Sequence, residues 1–131
     1  MPHLYNRNAF QGLAAASDVL LRLYCALVAL ELGLKDHFSG TGWRNGHRIG
    51  DWVAELGEPA LGVQLESRLS TLQCTGRDGN AAPVAINSYP DIRYVRHETD
   101  FPGASTSGQI GDALQVVSDI INALRGRGVA L

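Results

Sequence analysis

The sequence predicts an all-α protein, a single four- to five-helix bundle with a long ordered loop before the last helix. Three observations carry that expectation. Apolar residues recur at helical spacing in four separate stretches. Glycine, proline and small hydroxyl residues sit where those stretches begin and end. The chain has 131 residues, enough for one domain with a buried core, so residues 1–131 are read as one unit.

The first fifteen or so residues are ambiguous, because "NRNAFQGLAAASD" reads as a short helix or as an arm. Helix one is expected from Ser17 to Phe38, with Ser17 as N-cap and Asp18 well placed against the helix dipole. Asp18 with Arg22, and Glu31 with Lys35, are spaced i,i+4 with the acid first, the more favourable order. Between them the helix is apolar on nearly every side, which predicts a central, buried position. Glu31 is expected to be neutralised by Lys35 or by a buried arginine. "SGTGWRNG", residues 39–46, is a Gly-rich loop without the spacing of a phosphate cradle. Trp43 and Trp52 are expected as core or interface anchors.

Helix two is expected over about 47–57. Ile49, Trp52, Val53 and Leu56 form one stripe, and Gly57 is placed to end it. Helix three starts at Pro59, which suits a first helical turn, and is expected to run to about residue 74. Leu61, Leu65, Leu69 and Leu72 make its apolar face, and "TGRDGN" turns the chain. The last helix, 106–125, opens with the capping-box pattern "TSGQ". Its expected buried stripe is Ile110, Leu114, Val117, Ile121 and Leu124, with Asp112, Gln115, Asp119, Asn122 and Arg125 facing water. Gly126 and Gly128 stop it.

Composition limits the function classes. Charged residues make up 18% of the chain, below the usual quarter, which points to a partner or self-association face. The formal net charge of -2 gives no global attraction to nucleic acid or anionic lipid. The most apolar stretch, Val19 to Leu34, is interrupted by Arg22 and Glu31 and is shorter than a bilayer requires, so no membrane partner is expected. Met1-Pro2-His3-Leu4 lacks a basic region followed by an apolar core, so the chain is read as cytoplasmic. Cys25 and Cys74 both fall in expected helices and are read as small buried apolar residues in a reducing compartment. The histidines at 3, 37, 47 and 97 have no metal-ligand spacing, so neither a metal nor a cofactor is expected.

One segment stands apart. Residues 81–104, "AAPVAINSYPDIRYVRHETDFPGA", hold three of the five prolines and break any continuous helix. Long irregular segments inside compact domains tend to carry function or to pack as ordered crossings. Pro90 and Pro102 bracket a run of aromatic and charged side chains. Tyr89, Tyr94 and Phe101, with Glu98 and Asp100, are candidate binding or interface residues. Arg93, Arg96 and His97 are candidate catalytic residues: a histidine supplies a base or acid, and an arginine holds an anionic group in a bidentate fork. The structural alternative has Arg93 paired with Asp91, Glu98 or Asp100 while the aromatic rings fasten the loop to the bundle.

"LYCALVALELGLKDHF", then "GHRIGDWVAELG", then "YPDIRY" resembles the HEPN superfamily across most of residues 20–125. The resemblance implies a small helical bundle. It also implies either a metal-independent ribonuclease of a toxin or anti-phage system, or a non-catalytic member that binds and dimerises. The family's catalytic signature is an arginine followed a few positions later by a histidine at the start of the last helix. "STSGQIGDALQVVSDIINALRGRG" has no histidine, and Arg93 with His97, in the preceding loop, is the nearest approach to that spacing. The leading expectation is therefore a HEPN-like accessory protein acting as a homodimer or docked on a protein partner. An RNase acting on RNA through Arg93, Arg96 and His97 is the alternative. A small-ligand or nucleotide sensor with residues 87–103 as its lid is the third.

Overall fold

A computed structural model describes residues 18–42, 44–75, 81–87, 89 and 106–131. Among the described residues the bundle has four helices, α1 (Asp18–Phe38), α2 (Ile49–Glu55), α3 (Pro59–Ser70) and α4 (Thr106–Gly126). A short antiparallel strand pair, β1 (Gln73–Thr75) and β2 (Ala81–Pro83), follows α3. The first and last helices pack on each other, α4 also packs on α3, and α3 packs on α2. The fold is all-α, as expected, and the strand pair is a local clasp on it. No described helix is long and apolar enough to cross a membrane.

Leu23, Leu27, Leu30, Leu34 and Phe38 of α1 interlock with Ile110, Ala113, Val117, Ile120 and Leu124 of α4 in one continuous core, which Ile49, Trp52, Val53, Leu65 and Leu69 extend. Each large apolar side chain buried there contributes roughly 1.5–3 kcal/mol. The buried stripe of α4 is rotated from the expected one. Ala113, Val116 and Ile120 are buried, whereas Leu114 and Ile121 are half-buried at the rim. The cause is that α4 touches both α1 and α3, so its covered face is wider than a single i,i+4 row. A small residue at position 113 lets a neighbouring helix come close.

Two helices stop in the same way. After α2, Gly57 takes a φ of 99°, its N–H reaches the Ala54 carbonyl, and the Glu58 N–H reaches Val53. After α4, Gly128 takes a φ of 88°, its N–H reaches Arg125, and the Val129 N–H reaches Leu124. Both are Schellman turns, which need a left-handed residue that glycine adopts without steric cost. Arg127 joins the two turns. Its guanidinium covers Gly57, and its Nε donates to Oε1 of Glu58 at 2.8 Å.

Helix α3 ends at Ser70, before the expected residue 74. The Ser70 and Thr71 hydroxyls bond back to the carbonyls of Ser67 and Arg68, and the chain then pairs as strand: Gln73 with Pro83, Cys74 with Ala82, Thr75 with Ala81. Hydroxyl side chains compete with the helical ladder. Cys74 therefore lies in a strand and not in a helix. Helices α2 and α3 cross where Gly62 faces Gly50, and a Cβ on Gly62 would stand 3.2 Å from the Gly50 carbonyl oxygen. A backbone oxygen inside a helix has little room to yield, so Gly62→Val is expected to lower the melting temperature by several degrees in a thermal scan. An unchanged melting temperature would show that the crossing can open at little cost.

Helix α1 is buried along Leu23, Leu27, Leu30 and Leu34 as expected, but the expected burial of Cys25 is corrected. Cys25, Ala29 and Leu32 lie on one uncovered face, with Leu32 56% exposed and Cys25 an exposed free thiol. With α4 and α2 on its inner side, the outer side of α1 has no helix against it among the described residues.

Candidate functional site

Arg93, Tyr94, Arg96, His97, Glu98, Asp100 and Phe101 lie outside the described residues. Tyr89, the first aromatic residue of that segment, is described. It is 1% exposed, and its ring meets Tyr24 of α1 at 6.3 Å between centroids and His47 edge-on at 5.9 Å. Tyr89 thus fixes the entry to the segment on the bundle, as its apolar ring predicts.

The same contacts lead to a polar cluster that the sequence reading did not assemble. Glu31 is the one buried charged side chain among the described residues, at 6% exposure. It projects from the middle of α1, where an uncompensated carboxylate would cost several kcal/mol in lost hydration. Two nitrogen-bearing side chains meet it. Lys35, one turn later, places Nζ 3.8 Å from Oε2. His47, which ends the Gly-rich loop, places Nδ1 2.5 Å from Oε1. Lys35 also lies 5.9 Å from the Trp52 ring centre, within reach of a cation–π contact. Lys35 and His47 meet the carboxylate directly, and Trp52 of α2 and Tyr89 pack against those two in turn.

The expected Lys35 partner is present, and His47 stands where a buried arginine was the alternative. The sequence gives two hints of the longer-range contact. Glu31 is a solitary acid in an apolar run, and His47 stands directly before an apolar helix. Neither hint fixes a pairing across sixteen residues, which depends on the path of the loop. That path is set in part by Arg44, which lies over the Phe38 ring at 4.4 Å and pairs with Glu55 at 2.9 Å. His37 takes no part in the cluster; it is exposed and meets Phe38 edge-on.

Chemically, a carboxylate holding Nδ1 fixes the imidazole tautomer and leaves the other ring nitrogen as the proton-exchanging atom. The His47 side chain retains 44% of its exposure, so solvent reaches it. Arg48 is engaged by Asp51 at 2.6 Å. Among the described residues, no group of three or more histidine, cysteine or acidic side chains is arranged to hold a metal ion.

The second feature of the surface is the outer face of α1. Leu32 stands out from it, with Cys25 and Ala29 alongside and Arg22 and Asp36 at its two ends, all exposed. No family model, curated protein or solved structure matches this chain.

Proposed function

We propose that this chain is a HEPN-like helical bundle that works by association, as a homodimer or docked on a protein partner, in the role of an accessory subunit of a bacterial toxin or anti-phage system. The observation that carries the association reading is the uncovered apolar face of α1. A helix whose inner side builds the core also presents Leu32, Ala29 and Cys25 to solvent. Exposed apolar surface on a principal helix is what a partner would cover. The low charge content agrees with it. The accessory role and the link to toxin or defence systems rest on the resemblance of "LYCALVALELGLKDHF" and "GHRIGDWVAELG" to the superfamily. The absence of a histidine from "STSGQIGDALQVVSDIINALRGRG" supports a role without intrinsic catalysis.

Light scattering over a wide concentration range, with an RNA-cleavage assay in EDTA beside it, tests the reading. The expected result is a dimer mass and intact RNA. A monomer mass throughout would reject self-association and leave a protein partner as the reading. EDTA-resistant cleavage, lost in His97→Ala with the fold intact, would overturn the non-catalytic role in favour of the ribonuclease.

One observation favours a second reading, proton transfer. Glu31 holds a half-exposed His47 by one ring nitrogen, an arrangement that also serves general acid–base catalysis. In that reading cleavage would be lost in His47→Ala and retained in His97→Ala.

A further inference from the structure

We infer that the outer face of α1 pairs with α1 of a second copy, antiparallel about a two-fold axis at Ala29, with Arg22 and Asp36 closing the two ends. This rests on the association reading above and names its surface and occupant.

The spacing makes the face complementary to itself. Arg22, Ala29 and Asp36 are seven residues apart, and seven residues fall about 20° short of two helical turns. The three lie along one line of the helix, with Cys25 and Leu32 three residues after the first two. All five are exposed, whereas Leu23, Leu27, Leu30 and Leu34 on the other side are buried. Ala29 is the midpoint between Arg22 and Asp36. An axis through it sets each residue before Ala29 opposite the one equally far after it in the other copy, as an isologous interface requires. Arg22 then meets Asp36 of the second copy, and its Asp36 is met in turn. Ala26 faces Leu32 of the second copy.

Charge selects the direction. A parallel pairing would set arginine against arginine and aspartate against aspartate, while the antiparallel one makes two opposite-charge pairs and opposes the helix dipoles. Among the described residues, no ion pair of the chain uses Arg22 or Asp36. Size permits the approach. Ala29 stands at the crossing and Ala26 flanks it, so backbones come close before side chains collide. Leu131 borders the same face, since a Cβ on Gly33 would lie 2.6 Å from its Cδ2. A single helix pair is at the small end of stable interfaces, so the dimer should dissociate on dilution.

The test uses the full chain and sedimentation equilibrium. Arg22→Asp alone and Asp36→Arg alone should each weaken the dimer by about tenfold or more, because each places two like-charge contacts in the interface. The double variant should return to near wild-type affinity. A second measurement does not depend on charge. In a Cys25→Ser background, Ala29→Cys should form a disulfide between the two copies at position 29 on mild oxidation, located by peptide mass mapping. Wild-type Cys25 should not bridge to itself, because the two thiols would be offset by eight residues, about 12 Å, beyond disulfide reach. A dimer unchanged by both reversals and without the position-29 bridge would overturn this surface and leave association through another one. A monomer at every concentration would remove both.

Discussion

Leu27→Ala is expected to destabilise the protein by about 2–5 kcal/mol, while Leu32→Ala, on the same helix, shifts the stability of the monomer by no more than about 0.5 kcal/mol. Both substitutions remove the same atoms, so the difference is entirely one of environment. Leu27 is 0% exposed and sits in the core, where a truncation leaves a cavity that packed neighbours fill only in part. Leu32 already stands in water and loses little. Urea unfolding at a concentration low enough to keep the chain monomeric gives both values. Equal losses at the two positions would mean that the outer face of α1 is covered within one chain. If Leu32→Ala matters only at high concentration, the cover comes from a second molecule.

His47→Ala should cost about 1–3 kcal/mol, and more than the loss of an exposed pair such as Arg48–Asp51, which is worth at most about 1 kcal/mol. The reason is Glu31. With the imidazole gone, its Oε1 loses the partner at 2.5 Å, and only Lys35 at 3.8 Å stays near the carboxylate. The partial exposure of His47 lets water enter and keeps the loss below that of a fully buried pair broken on one side. Replacing both groups should cost less than replacing one. Glu31→Met combined with His47→Leu removes the charge along with its partner, and apolar substitution of buried pairs is often neutral. A double-mutant cycle by thermal or urea unfolding measures the coupling. A double variant as unstable as the sum of the single ones would show that Glu31 and His47 act independently. The same variants, assayed on RNA, separate a structural pair from a proton-transferring one.

Most of the bundle was legible because its signals are local. Pro59 marked the start of α3, Gly57 and Gly128 marked the ends of α2 and α4, and the long apolar run of α1 marked it as a core helix. The end of α3 was not, because leucine at 72 fits a helical row and a strand clasp equally well, and its partner strand lies beyond the turn. The exposure of Cys25 was hidden for a different reason. Periodicity tells which residues share a face, but the number of neighbouring helices decides how many faces are covered. Within the candidate site, Glu31 and Lys35 were readable as an i,i+4 pair. His47 was not, since its approach is set by Arg44 folding the loop over Phe38. The expected association surface was a different one, the segment that carries Tyr89, Tyr94, Glu98, Asp100 and Phe101; the outer face of α1 was not singled out, because its apolar residues merge into a helix that is apolar on nearly every side.

The contact between α1 and α4 bears on how the chain is made. Of the described helices, the first to be synthesised finds its main cover in the last. Until α4 is available, Leu23, Leu27, Leu30 and Leu34 have little to pack against. The α2–α3 corner, by contrast, is closed by neighbouring residues and by its own Schellman turn, so it can form while translation continues. On the ribosome the nascent chain would thus hold an apolar helix that waits for α4 to emerge. Such an intermediate is open to chaperones, or to another copy of the same chain, before the monomer is complete.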